Sequence, residues 1–336
     1  MVSRRRPDCA LLEEGANALG LRTAVQTQYR ILYYLKGPTV IKAARLDDKT
    51  VGTVDIAGST VRRLGFGAMR ISGARNGEGL RDREVARTLV RRVVDRGINL
   101  IDTANIYGYG ESEEILAEAL HPYPADLLIT TKAGFKPGKI APGETSLPPL
   151  GTPEHIREEC EQSLHRLRVD AIDLYQVHVP DPAVPYEDTV GAFADLQREG
   201  KVRHIGVSNV SAEQLAVAQS ICEVVTVQNR YNVGDRASEA MVVLCGQQDI
   251  IFFPWQPVAA EDDGVRRTLA GVAQAHGVSV QQVALAWLLA HSDILVPIPG
   301  TSRIDHLDDN VDAGWLTLTD FDIAALDAAP GEGRSS

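Results

Sequence analysis

Cysteine is scarce in this chain: four among 336 residues, Cys9, Cys160, Cys222 and Cys245, widely spaced and without a C-x-x-C pair. So few thiols, so far apart, do not make a disulfide framework, and they read as reduced groups in a cytoplasmic setting. No apolar run approaches about eighteen residues, so no membrane span is expected. Met1 to Cys9 carries Arg4-Arg5-Arg6, but the stretch behind it, with Glu13 and Glu14, is not the apolar core of a signal peptide, and secretion is not expected. Basic charge is also in deficit: 34 Lys and Arg stand against 45 Asp and Glu, a formal net charge of -11. Nucleic-acid phosphates would meet a repulsive field, so no nucleic-acid partner is expected; a local basic cluster could still hold one anionic ligand. The eight histidines form no H-E-x-x-H pair and no metal-like cluster with cysteine, so no metal is expected.

What is present is alternation. From about Val51 onward, short apolar runs alternate with amphipathic stretches. The strand candidates are Leu64–Met69, Ile98–Thr103, Leu127–Lys132, Ala171–His178, Val202–Ser208, Val224–Gln228, Ile250–Trp255 and Ile294–Ile298. Several are apolar throughout, as strands buried on both faces are. Between them, Arg83 to Asp95 puts Val85, Leu89, Val90, Val93 and Val94 on one face, and Glu154 to Leu167 aligns Ile156, Cys160, Leu164 and Leu167. Helix starts are marked at Thr152-Pro153-Glu154, Ser211-Ala212-Glu213 and Ser279-Val280-Gln281. Strand–helix alternation implies parallel pairing with right-handed crossovers, and eight repeats in about 250 residues predict a (β/α)8 TIM barrel. Two β-type runs around Ala57-Gly58-Ser59 predict an N-terminal β-hairpin that plugs the barrel. The rival, an open dinucleotide-binding sheet, requires a glycine fingerprint; Leu64-Gly65-Phe66-Gly67-Ala68-Met69-Arg70 carries only its first two glycines. Three regions follow: an extension over 1–46, with a candidate helix at Gln28 to Lys36, read as poorly ordered or as an overlong start; the barrel over 47–330; and a tail over 331–336.

Chemistry in such a barrel sits at the C-terminal ends of its strands. Five consecutive candidates end in polar residues: Asp102 with Thr103, Asn105 and Tyr107; Lys132; His178; Ser208-Asn209; and Gln228-Asn229. Each follows an apolar run, so all five groups face one mouth. Singly each has a plainer use: Asp102 as a helix cap, Tyr107 as a wet loop residue, Lys132 as a solvated strand end, His178 as an ordinary polar residue. A hydrolase elbow is excluded, because Gly206-Val207-Ser208-Asn209-Val210 lacks the second glycine.

Taken together, Gly97-Ile98-Asn99-Leu100-Ile101-Asp102-Thr103-Ala104 with Tyr107-Gly108, Thr130-Thr131-Lys132, Val177-His178, Gly206-Val207-Ser208-Asn209, Gln228-Asn229-Arg230-Tyr231-Asn232 and Ile298-Pro299-Gly300-Thr301-Ser302-Arg303 resemble the aldo-keto reductase superfamily over roughly residues 51–329. The resemblance implies a catalytic tetrad of Asp102, Tyr107, Lys132 and His178. A carbonyl that accepts a hydride gathers negative charge on oxygen and needs a proton. A free tyrosine, with a pKa of about 10, is a poor donor match at neutral pH. A cationic Lys132 beside the phenol is expected to lower that value, Asp102 to hold the lysine, and neutral His178 to orient the substrate oxygen.

The resemblance also implies NADPH (NADP+), ahead of NADH. Ser208, Asn209 and Gln228 would meet the nicotinamide carboxamide and Trp255 would stack on the ring, where the family often has Tyr or Phe. Gly67, Met69 and Pro257 would line the cofactor. Gly300, Thr301, Ser302 and Arg303 would take the 2′-phosphate at a helix start, with Asp309 and Asn310 facing the adenine. The chain departs from some members at Gly300 and His306, where they carry basic residues. The expected partner is a small-molecule carbonyl substrate, handled by a monomer or small homo-oligomer with no membrane. The long segment Phe135 to Leu150 is expected to wall its pocket. Leu64–Gly73 and Pro180–Pro185 resemble a bacterial subgroup that includes pyridoxal reductases. A reading from another class is a cofactor-sensing accessory subunit resembling the β subunits of potassium channels.

Overall fold

The computed structural model describes residues 44–72, 82–138 and 146–329. The candidate helix at Gln28 to Lys36, Cys9, part of the long segment after Phe135 and the 331–336 tail lie outside the described residues. The compact unit that carries the site begins at Arg45. Leu46 belongs to it: its side chain is buried, its N–H donates to Arg96 O at 2.8 Å, and Asp47 caps the short helix α1 (Asp48–Val51). The unit thus starts two residues before the expected start at 47, and Leu46 packs with Val51, Val93 and Ile98 in the outer core. A chain that begins at Asp47 is expected to be less stable than one that begins at Ala44 by about 2–5 kcal/mol, the usual cost of losing a buried leucine. Thermal unfolding of the two truncations measures the difference.

Strands β1 (Thr53–Ile56) and β2 (Ser59–Arg62) pair antiparallel through a two-residue turn. Ala57 and Gly58 both take positive φ, the backbone that matches strand twist in such turns, and Asp55 Oδ1 accepts from Gly58 N–H at 2.8 Å. The inward side chains Ile56 and Val61 pack with Leu100, Leu128, Leu174, Ile251 and Val296.

A parallel sheet then runs in sequence order: β3 (Phe66–Gly67), β4 (Leu100–Asp102), β5 (Leu128–Ala133), β6 (Ile172–Val177), β7 (Val202–Ser208), β8 (Val224–Gln228) and β9 (Ile251–Phe252). Helices follow the strands on the outside, among them α2 (Arg83–Asp95), α3 (Glu111–Leu120), α4 (Pro153–Leu167), α5 (Tyr186–Arg198), α6 (Ala212–Gln219), α7 (Glu239–Gln247), α8 (Asp263–His276), α9 (Val280–His291), α10 (Ile304–Asp312) and α11 (Asp320–Ala328). Their starts follow local chemistry: Thr152 caps α4 ahead of Pro153, and Ser211 and Ser279 form capping boxes with Gln214 and Gln282. The result is an α/β barrel of the TIM type, with an apolar layer between sheet and helices.

The stretch Ile294 to Ile298 does not form a regular strand. It makes one parallel bridge, Leu295 to Phe252, and then only accepts: Gly65 N–H donates to Pro297 O at 2.9 Å and Gly67 N–H to Pro299 O at 3.2 Å. Pro297 and Pro299 have no N–H to give back, so the ladder is one-sided there. Those two bonds nonetheless carry the circuit back to the first strand. β9 is short, although Phe253 and Trp255 still donate to Val227 and Asn229, and a 3-10 turn, Ala68–Ile71, ends β3. Cys160, Cys222 and Cys245 are free thiols; burial pushes Cys160 and Cys245 up to about 12 and Cys222 to about 11, which makes them packing groups rather than reactive ones. No described helix is long and apolar enough to cross a membrane.

Candidate active site

The ends of β4, β5 and β6 bring Asp102, Lys132 and His178 to one mouth. Lys132 and Asp102 are both buried, and Lys132 Nζ donates to Asp102 Oδ2 at 2.6 Å and to Thr103 O at 2.8 Å. Asp102 is thus an ion-pair partner and not a helix cap; Lys132 is not a solvated rim charge. Tyr107 follows β4 on a tight turn, half-buried, with Lys132 Nζ 5.3 Å from its ring centroid. Three successive left-handed residues, Gly108, Tyr109 and Gly110, turn the chain back into α3. Gly108 is required twice over, by its φ of 60° and because a Cβ there would stand 2.5 Å from Ser72 Cβ.

His178 lies across from Tyr107, their rings edge-on with centroids 6.0 Å apart, and Phe135 closes on the imidazole at 4.7 Å. Phe135 is held by a bridge to Pro149, by His155 Nε2 on its carbonyl at 3.1 Å, and by packing with Leu147, Ile106 and Tyr107. The described stems of the segment from Phe135 to Leu150 therefore stand directly over the tetrad.

The protonation of the pair differs from the sequence expectation. Burial pushes the Tyr107 phenol above its ordinary value, against the pull of Lys132, which lowers it but does not win. Burial also pulls Lys132 down, but Asp102 and Tyr107 together outweigh it and leave the ammonium above its usual range. At neutral pH the site therefore holds a cationic lysine and a protonated phenol. The lysine limits how far burial can raise the tyrosine; it does not bring it below the free value.

At the next strand ends, Ser208 is buried and its Oγ accepts from Asn209 Nδ2 at 3.0 Å; the same amide reaches His178 O at 3.0 Å. Trp255 is half-buried, and its indole N–H donates to Asn209 Oδ1 at 3.1 Å, so the ring is held by its edge. Gln228 is turned inward: Nε2 donates to Asp102 Oδ1 at 2.9 Å, which presents its amide oxygen away from the tetrad as an acceptor. Gln176, which no sequence motif singled out, donates to the same Oδ1 at 3.2 Å. Its signal is in the string Leu174-Tyr175-Gln176-Val177, one amide in a run of four buried residues.

The remaining predicted residues gather near the closure of the barrel. Gly67 and Gly300 pack backbone to backbone: a Cβ on Gly67 would stand 2.7 Å from Ile298 O, and one on Gly300 2.7 Å from Gly67 O. Met69 is exposed, Pro257 and Thr301 are buried, and Asn310 is buried on α10. Two residues are engaged elsewhere than expected. Asp309 accepts from Ser279 Oγ at 2.6 Å, tying α10 to the start of α9. Arg303, the N-cap of α10, is exposed and paired with Asp305, Nε to Oδ1 at 3.0 Å, and holds that carboxyl at about 2. Arg230, whose guanidinium lies 5.9 Å from the Trp255 ring centroid, also lines a cavity of about 250 Å³ with Asn232, Asp235, Glu261 and Asp262. Among the described residues no group of three or more His, Cys, Asp and Glu side chains is placed to hold a metal ion.

The family model of the Aldo/keto reductase family matches residues 63–330. Pyridoxine 4-dehydrogenase of Escherichia coli is 37% identical over 286 residues, covering 83% of this chain and 99% of its own. The NADH-specific methylglyoxal reductase of the same organism is 31% identical, covering 82% and 96%. Among solved structures, an aldo-keto reductase of Klebsiella pneumoniae in complex with NADPH superposes with a TM-score of 0.70 at 26% identity, covering 84% of this chain and 97% of that one.

Proposed function

The chain belongs to the Aldo/keto reductase family, and on that premise we propose that it reduces aldehydes or ketones to alcohols with NADPH, Tyr107 giving the proton. The barrel of this reading is the complete (β/α)8 form, its N-terminal end closed by the β1–β2 hairpin. One observation carries the reading: a buried lysine–aspartate pair at 2.6 Å stands beside the Tyr107 ring, Nζ 5.3 Å from its centroid, at the strand ends where a barrel keeps its chemistry.

When bound, the reduced nicotinamide supplies a hydride. The residues present suit it: Trp255 offers a π face whose edge Asn209 already holds, Ser208 and Asn209 lie beside it, and the amide oxygen of Gln228 is free to accept from a carboxamide N–H₂ because its nitrogen is committed to Asp102. The work of the chain's own groups is then defined. His178 holds the carbonyl oxygen from one side and Tyr107 from the other. As charge gathers on that oxygen, the Tyr107 hydroxyl gives its proton. Lys132, cationic throughout, stabilises the phenolate left behind, and Asp102 keeps the ammonium in place. Phe135 and Leu147 exclude water from the oxygen side.

The relative that acts on pyridoxine, 37% identical over nearly its whole length, favours pyridoxal as the substrate within this chemistry. A panel of simple aldehydes, methylglyoxal and pyridoxal, followed by NADPH absorbance, tests both levels. Turnover of pyridoxal well above the others supports that substrate. Turnover of none contradicts the enzymatic reading.

For the cofactor, NADPH is proposed over NADH on the strength of Arg303, supported by the NADPH-bound neighbour and opposed by the NADH-specific relative. The Arg303–Asp305 pair is exposed, and such a pair contributes little and is readily exchanged for a phosphate. Because Asp305 must be displaced, Arg303→Ala is expected to weaken NADPH binding by only about tenfold and to leave NADH binding nearly unchanged. Fluorescence quenching gives both dissociation constants; equal losses, or none, would remove Arg303 from the phosphate site.

A further inference from the structure

Gln176 lies near the C-terminal end of β6, its side chain wholly buried inside the barrel. Nε2 reaches Asp102 Oδ1 at 3.2 Å and Thr130 Oγ1 at 2.7 Å. From the other side Gln228 Nε2 meets the same Oδ1 at 2.9 Å, while Lys132 Nζ takes Oδ2 at 2.6 Å. Barrel interiors are normally filled by branched apolar side chains, so an amide here calls for a reason. The carboxylate oxygen only accepts, which forces the Gln176 amide to turn its N–H₂ toward it. The other end suffers: Gln176 Oε1 is buried with no hydrogen-bond partner among the described residues. An amide that leaves its own carbonyl unmatched to donate to Asp102 and Thr130 is placed for those bonds, and not merely to fill space. Gly206 on β7 makes the room, since a Cβ there would stand 2.9 Å from Gln176 Cγ and 2.2 Å from Thr226 Oγ1.

We propose that Gln176 is a positioning residue for carbonyl reduction: by donating to Asp102 Oδ1 it fixes that carboxylate and limits its draw on Lys132, leaving more of the lysine's charge to act on Tyr107. The proposal rests on the reading of Tyr107 as proton donor. A carboxylate that loses a donor becomes the stronger acceptor for those that remain. Without Gln176, Asp102 binds Lys132 more tightly, and the phenolate formed in the reaction meets a weaker positive field. Gln176 has no exposed surface, and of its two acceptors, Asp102 and Thr130, only Asp102 belongs to the tetrad.

The test is the rate of aldehyde reduction against pH, from about pH 5 to about pH 9, for the parent, Gln176→Leu and Gln176→Glu, with NADPH dissociation constants alongside. Gln176→Leu keeps the volume and loses the donor. It is expected to bind NADPH within about twofold of the parent and to turn over about tenfold more slowly at every pH, one hydrogen bond to a charged group being lost. Gln176→Glu keeps the shape and can donate only while protonated. Burial beside Asp102 raises such a carboxyl, so this variant should match the parent within about threefold at the acid end and fall to the leucine variant's level or below as it ionises. That new step in the profile is a signature no packing defect produces. Gln176→Leu within about twofold of the parent, or Gln176→Glu reduced by the same factor at all pH values, would overturn the proposal. If Gln176→Leu fails to fold, the profile of Gln176→Glu decides alone. Should Tyr107→Phe itself keep its turnover, the underlying reading fails first, and the two failures are told apart.

Discussion

Tyr107→Phe is expected to lose carbonyl reduction by about 10²–10⁴-fold, the usual worth of a positioned general acid, while folding and binding NADPH as the parent does. The ring keeps its contacts: phenylalanine can pack with Ile106, Leu147 and Phe135 and stand edge-on to His178 as tyrosine does. Only the hydroxyl goes. Burial holds the phenol's pKa above 10.0 despite Lys132, so the proton is present throughout the neutral range. The sign follows. Reduction needs the protonated phenol, so its rate should stay level through neutral pH and fall only as pH rises past the tyrosine's raised value. The reverse reaction needs the phenolate as base and should climb with pH over the same interval. In the phenylalanine variant both dependences should vanish with the activity. Measured kcat against pH in both directions checks this, and near-parental turnover would take Tyr107 out of the role.

Lys132→Met carries the other large effect, and it acts on stability as well as rate. Lys132 is wholly buried against Asp102. Removing it leaves a buried carboxylate with amide donors but no countercharge, a change that typically costs about 3–5 kcal/mol. The pKa of Lys132 is raised in the fold above the ordinary 10.5. Its contribution to stability is therefore complete below 10.5 and lost only as pH climbs through the raised value, so the deficit of the methionine variant should be constant across the neutral range. Chemistry suffers separately. The phenolate formed at Tyr107 loses its cation, its pKa rises further, and reduction should slow by about 10²-fold, with the alkaline decline moved out of the accessible range. Thermal unfolding and the rate–pH profile measure the two effects; a variant with parental stability would show that Asp102 does not depend on this partner.

The tetrad was legible because each member interrupts an apolar strand at its C-terminal end, where burial and polarity conflict unless chemistry resolves them. Asp102, Lys132 and His178 were placed at one mouth by alternation alone, before any resemblance was invoked. What stayed hidden was hydrogen-bond direction. Nothing in the order of residues shows that Gln228 and Gln176 both turn to one oxygen of Asp102, or that Trp255 is anchored through Asn209. Arg303 and Asp305 are two residues apart, a spacing that does not face itself on a helix. They meet because Arg303 is the extended N-cap, with φ -124°, and stands outside the helical turn. The eighth strand reads as regular from its apolar residues, whereas Pro297 and Pro299 leave it only acceptors toward the first strand. The sequence also points the Tyr107 shift downward where burial turns it upward, because charge is visible in a sequence and depth of burial is not.

Hydride transfer by this chain, rather than storage of a cofactor, is the central claim. The most direct measurement uses NADPH carrying deuterium at the transferred position, purified full-length protein and a simple aldehyde, with the product alcohol examined by NMR. Deuterium on the carbinol carbon in the parent, and none in Tyr107→Phe over the same period, is the predicted result. Tight NADPH binding without deuterated alcohol from any aldehyde, methylglyoxal or pyridoxal would contradict it and leave the barrel as a cofactor-sensing module.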